Sequence, residues 1–136
     1  ASPDFGGLKR ARTFAEKLGV ELVNIDKHRH LTTGDITSMG LHGEVEGKTV
    51  LIFDDVINSG GTVTSAAQVL KDNGAERVVF YSTHGIFAND GHATIQSSSV
   101  DEVVVSDSIY QGEQLPTKLR MLSVAPLFAQ ALAKWQ

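Results

Sequence analysis

A chain of 136 residues is one domain's length, and 41% apolar with 21% charged residues excludes a disordered or low-complexity protein. Twelve basic against sixteen acidic residues leave a net charge of −4, so no basic field points to nucleic acid, and the apolar runs are too short to span a membrane. With no cysteine there is neither a disulfide framework nor a thiolate zinc site, which fits a reducing, cytoplasmic setting.

Leu8, Ala11, Ala15 and Leu18 recur at helical spacing, and Gly19 closes the segment. Glu21 to Ile25 reads as a short strand. From Asp26 to Leu41 no period is usable, and Thr32, Thr33, Gly34, Ser38 and Gly40 mark a long loop, expected to be disordered without ligand. Val50 to Phe53 is a continuous, partly β-branched run, the mark of a strand covered on both faces. Val63, Ala66, Ala67 and Leu70 predict a helix ended by Asn73-Gly74. Strands are predicted at Arg77 to Tyr81, Val103 to Val105 and Leu119 to Val124, with a small helix around Ala93 to Ser97. A terminal helix carries the stripe Phe128, Ala131, Leu132 and Trp135, and Pro126 suits its first turn. Strands alternating with helices predict an α/β fold: an open, mostly parallel sheet flanked by helices, with right-handed crossovers. Residues 1–136 read as a single domain, without internal repeat or linker.

The strongest chemical signal is the run from Val50 to Thr62. A buried strand delivers Asp54 and Asp55 at its carboxyl end, a glycine turn follows, and a helix starts near Thr62. Ligands of open α/β sheets bind at that end of the strands. Free backbone N–H groups and the positive end of the helix suit a phosphate, while an ordinary helix start with aspartate caps is the plainer alternative. No Walker A or Gly-x-Gly-x-x-Gly motif is present. Pro3-Asp4-Phe5-Gly6-Gly7 is a second turn of the same kind feeding a helix. Asp26-Lys27-His28-Arg29-His30 puts Lys27 and Arg29 on one face of an extended chain. Two such cations suit a lid over a polyphosphate, or simply a solvated basic stretch. His28 and His30 lack a third clustered ligand for a metal.

The Asp-Asp-x-x-x-Ser-Gly-Gly-Thr stretch after a buried strand resembles the phosphoribosyl-pyrophosphate loop of the type I phosphoribosyltransferase fold. Four further matches resemble the ribose-phosphate pyrophosphokinases, or phosphoribosyl pyrophosphate (PRPP) synthetases, in order and spacing. They are Ser2-Pro3-Asp4-Phe5-Gly6-Gly7 with Lys9-Arg10-Ala11-Arg12 behind it, Ile25-Asp26-Lys27-His28-Arg29, Thr83-His84-Gly85-Ile86-Phe87, and Leu122-Ser123-Val124-Ala125-Pro126-Leu127. The resemblance covers essentially the whole chain.

It implies transfer of the pyrophosphoryl group of Mg·ATP to the 1-hydroxyl of ribose 5-phosphate, giving PRPP and AMP. It further implies that Asn58, Ser59, Gly60, Gly61 and Thr62 hold the 5-phosphate. Asp54 and Asp55 would face the ribose hydroxyls and metal, while Asp4, Gly6 and Gly7 would form the metal and pyrophosphate turn. Lys27 and Arg29 would stabilise the transferring group. Mg²⁺ is the implied cofactor, with Asp4, Asp54 and Asp55 toward it, and the implied assembly is a homo-oligomer, a hexamer in the family. Two departures stand out. Asn58 replaces the aspartate common in the family, and a turn-shaping role is expected for it. The family's chain is about twice as long, so a carboxyl-terminal piece lacking the half that supplies much of the ATP site, and inactive by itself, is expected. The alternatives are a phosphoribosyltransferase using PRPP and a base, or a non-catalytic regulatory relative of the synthetase.

Overall fold

Four parallel strands, β3 (Thr49–Ile57), β4 (Arg77–Gly85), β5 (Glu102–Ser106) and β6 (Leu119–Leu122), lie side by side in chain order. The computed structural model describes residues 1–4, 6–29 and 36–135, and of residues 27–29 and 36–39 only the backbone. Val50 pairs with Val78, and Phe80 with Val103, so the even positions of β3 and β4 share one face with the odd positions of β5. That face is the core. Helix α2 (Gly61–Asp72) lays Val63, Ala66, Ala67 and Leu70 on it, and α3 (Gly91–Ser97) adds Ile95. Ser2 forms a parallel bridge with Asn24: its N–H donates to Val23 O at 2.9 Å and its carbonyl accepts from Ile25 N–H at 3.1 Å.

The opposite face carries α1 (Leu8–Leu18), held by Phe14 stacked on Phe53 with ring centroids 3.9 Å apart and planes 6° from parallel. Gly19, at φ 66°, ends that helix where its apolar stripe predicts. A groove of about 690 Å³ then opens between α1, the sheet and the terminal helix α4 (Ala125–Ala133), with Phe53, Tyr81, Val104, Leu122 and Leu127 among its lining. The stripe of α4 exists but covers nothing. No α4 residue is buried, and Phe128 is 66% exposed; Trp135, expected on the same stripe, lies beyond the helix end at Ala133 and is 90% exposed.

One expectation needs correction. The stretch 26–41 is not a loop throughout: β1 (Asn24–Arg29) and β2 (Ile36–His42) pair antiparallel, Asn24 opposite His42 and Lys27 opposite Met39. The strand expected at Glu21 to Ile25 accordingly starts and ends later. Polar residues fill much of β1, so it lacks the apolar alternation by which a half-buried strand is read from sequence. Its backbone ladder needs no such pattern. The expected disorder concerns residues 30–35, which lie outside the described part.

Candidate active site

Sheet direction places the carboxyl ends of β3, β4 and β5 on one rim, and the phosphate-type turn sits there. After Ile57 the chain turns through Asn58, Ser59 and Gly60 into α2. Gly60 adopts φ 88°, ψ −4°, a left-handed conformation natural to glycine, and a Cβ there would lie 3.2 Å from Ile95 Cδ1. No side chain caps α2. Thr64 N–H reaches Gly60 O at 3.0 Å, so the amides before it in the first turn stay available to an anion at the positive end of the helix dipole. A small cavity of about 110 Å³ is lined by Val56 to Val63 and Phe80. The alternative of aspartate caps at this helix fails: Asp54 and Asp55 are still within β3 and do not reach it.

The turn is braced from outside by a segment whose function the sequence did not show. Ile86 N–H donates to Ile57 O and Ala88 N–H to Asn58 O, each at 2.8 Å. Phe87 and Asn89 hold positive φ angles of 48° and 56°, uncommon for non-glycine residues. Gly85 admits this path, since a Cβ there would lie 2.5 Å from the Phe87 ring. Thr83-His84-Gly85-Ile86-Phe87 thus supports the loop it adjoins. Gly85-Ile86-Phe87, with a glycine at a strand end before an aromatic, was the available signal.

Asp54 and Asp55 end up beside Arg10, on α1. Arg10 Nη1 is 2.8 Å from Asp54 Oδ1, and Nη2 is 2.9 Å from Asp55 Oδ2. Burial pushes the Asp54 carboxyl above its ordinary value, with N–H and Arg10 hydrogen bonds acting downward and Asp55 upward. At Asp55 desolvation is the largest single influence and acts upward, but the hydrogen bond with Asp54, the Arg10 charge and N–H donors together outweigh it, so its carboxyl sits below its ordinary value. Arg10 falls within the Lys9-Arg10-Ala11-Arg12 segment, yet nothing in a linear reading joins it to residues more than forty positions away. Its spacing of four from Phe14, on the helix face turned to β3, was the usable hint.

At the other turn, Asp4 Oδ1 accepts from Gly7 N–H at 2.9 Å. Ser2 Oγ donates to Asp4 O, closing the turn before α1. Gly6 and Gly7 are closely approached by their neighbours: a Cβ would lie 3.3 Å from Asp4 Oδ1 and 3.0 Å from Ser2 Oγ respectively. Arg10, in the helix begun by this turn, couples it to the end of β3. Lys27 and Arg29 take β1 positions opposite Met39 and Ile36. Their side chains lie outside the described part, as does Phe5.

Among the described residues no group of three or more His, Asp or Glu is placed to hold a metal ion. Paired carboxylates of Asp54 and Asp55 still suit Mg²⁺, which takes one or two protein carboxylates and fills its shell with water and phosphate oxygens. The fit is to an ion shared with an anionic ligand rather than to a closed protein cage.

A family model described as the phosphoribosyl synthetase-associated domain matches residues 31–135. The chain belongs to the phosphoribosyl synthetase-associated domain family. Members of its wider kin include the ribose-phosphate pyrophosphokinases of Wolinella succinogenes, 41% identical over 134 residues, and of Ralstonia nicotianae, 44% identical over 136 residues. Each alignment takes in 98% of this chain, but only 43% and 42% of the relative. The crystal structure of phosphoribosylpyrophosphate synthetase from Mycobacterium smegmatis superposes with a TM-score of 0.84 at 33% identity, over 98% of this chain and 43% of that one. This family chain therefore spans less than half the length of the relatives it matches, and shares their α/β fold.

Proposed function

We propose that this chain is the ribose 5-phosphate half of a PRPP synthetase, which moves the pyrophosphoryl group of ATP to the 1-hydroxyl of ribose 5-phosphate and yields PRPP and AMP. One observation carries the reading: an uncapped helix start with left-handed Gly60 follows directly on a parallel strand that presents two carboxylates. A phosphate and a sugar diol on one small molecule are what ribose 5-phosphate offers. N–H groups of the Asn58 to Thr62 turn hold the 5-phosphate, and Asn58 shapes the turn by giving its carbonyl to Ala88 N–H. Asp54 and Asp55 accept from ribose hydroxyls and orient the sugar. Asp4, Gly6 and Gly7 form the turn for the pyrophosphate, with the 1-hydroxyl between the two turns. Lys27 and Arg29 supply positive charge to the transferring group, where it matters most in the transition state. Asp4, Asp54 and Asp55 would hold Mg²⁺, a group that supplies charge neutralisation for a polyphosphate.

The named function of the relatives favours synthesis of PRPP over its use by a phosphoribosyltransferase or a purely regulatory role. Residues 1–136 would form the phosphoribosyltransferase-like domain of the longer enzyme, cytoplasmic and homo-oligomeric. No described helix is long and apolar enough to cross a membrane.

Calorimetric titration tests the reading. The full chain should bind ribose 5-phosphate, and Gly60→Ala should weaken that binding about tenfold or more, because the new Cβ forces the turn off its left-handed path. ATP with Mg²⁺ should yield no AMP from the chain by itself. Absence of ribose 5-phosphate binding, or steady AMP formation by this chain, would sink the proposal.

A further inference from the structure

The Arg10 fork is not needed to hold α1 in place. Phe14, one turn further along the same face, already stacks on Phe53, and an ion pair whose arginine is 36% exposed and whose Asp55 side chain is 64% exposed contributes little stability. Its placement points elsewhere. Nη1 and Nη2 each take a different carboxylate, at 2.8 and 2.9 Å, so one rigid guanidinium fixes the relative orientation of two neighbouring side chains.

Counting carboxylate oxygens shows what that orientation leaves. Asp54 Oδ1 accepts from Arg10 and from Asp55 N–H at 2.9 Å. Asp55 Oδ1 accepts from Val56 N–H at 3.0 Å, and Asp55 Oδ2 from Arg10. Three of the four oxygens thus accept from nitrogen donors, and apart from the contact between the two carboxyls themselves, no described protein N–H reaches the fourth, Asp54 Oδ2. Asp54 is the less exposed of the pair, its side chain at 19%. Two adjacent carboxylates also repel, and a cation across both holds them aligned.

We propose that Arg10 is the positioning residue of the sugar subsite: by bridging Asp54 and Asp55 it presents Asp54 Oδ2 as the acceptor for a ring hydroxyl of a pentose phosphate. This rests on the reading that the turn at Asn58 to Thr62 binds ribose 5-phosphate. Arg10 touches neither phosphate nor reacting atoms. It acts through Asp54, and so governs recognition of the hydroxyls separately from recognition of the phosphate. Lysine cannot replace it fully, because a single ammonium is a point charge without a fork.

The test compares three probes by calorimetry on the full chain: inorganic phosphate, tetrahydrofurfuryl phosphate, which keeps ring and phosphate but no hydroxyl, and ribose 5-phosphate. Wild type should prefer ribose 5-phosphate to the hydroxyl-free ring by about tenfold or more, the scale of a hydrogen bond to a charged acceptor. Arg10→Gln should shrink that preference to within about threefold while inorganic phosphate binds as before, and Arg10→Lys should fall between. If Arg10→Gln does not fold, Arg10→Lys carries the comparison. Undiminished preference in both variants, or a parallel loss of phosphate affinity, overturns the assignment while leaving the function intact. Failure of wild type to bind ribose 5-phosphate overturns the functional reading and this inference with it.

Discussion

The two faces of the parallel sheet are made from the same strands and meet different fates. On one, Ile52, Val78, Phe80, Val103 and Val105 are at most 1% exposed beneath α2 and α3. On the other, Phe53 and Tyr81 are half-buried, Leu122 is 51% exposed, and the apolar residues of α4 stand in solvent. Neighbours Phe80 and Tyr81 differ only in which way the pleat sends them. The closed face is a finished core that sets where the strands end, and therefore where the phosphate turn lies. The open face is braced at one edge by α1, and there the Phe14–Phe53 stack and the Arg10 fork do by specific contacts what the closed face does by bulk burial.

Breaking the closed face should have the largest effect. Phe80→Ala removes a ring that is 1% exposed in the core and also lines the turn cavity, so it should cost about 3–5 kcal/mol in urea unfolding and abolish ribose 5-phosphate binding. On the open face, Tyr81→Ala loses a stack with Phe53 at 5.2 Å and only partial burial, for a cost of about 1–2 kcal/mol. Equal costs for the two would mean that the second face is not open in solution.

A smaller effect is expected at the far rim of the closed face. Asp101 Oδ2 accepts from Val78 N–H at 2.7 Å and pairs with Lys71 of α2 at 2.8 Å. Slight burial acts upward on its carboxyl, but Lys71, the N–H group and Arg77 together hold it below its ordinary value. Because the folded value lies below the unfolded one, this contribution is present above the unfolded value near pH 4 and is lost as pH falls through the folded one. Asp101→Asn should therefore lower the melting temperature at neutral pH and flatten its decline below about pH 4. An unchanged acid limb would remove Asp101 from the account. Least of all should follow from Phe128→Ser on α4, within about 0.5 kcal/mol for this chain, since the ring is 66% exposed. A loss above 1 kcal/mol would show that α4 is covered in solution, by a second copy or otherwise.

The periodicities of Val63 to Leu70 and of Val50 to Phe53 were legible because each pattern matches one face of its element to a single core. The placement of Asp54 and Asp55 at the end of a strand, and of a turn at Asn58 to Thr62 before a helix, was legible for a related reason: a strand, turn and helix in succession are local in sequence. Residues 26–29 were misread as loop because a polar strand carries no apolar period. The exposed side of α4 was beyond a linear reading altogether, since Phe128 and Trp135 form the same stripe whether or not anything lies against it.

By itself, then, the sequence determined the order of elements outside residues 26–41, the identity of the closed face and the position of both glycine turns, all consequences of short-range spacing and of backbone geometry near glycine. Only the tertiary structure decided that Arg10 of α1 would straddle Asp54 and Asp55, and that Ile86 and Ala88 would hold the Asn58 turn from the next strand. Those contacts join residues dozens of positions apart, and they exist because the sheet stacks the carboxyl ends of its strands on one rim, a placement that no local pattern encodes.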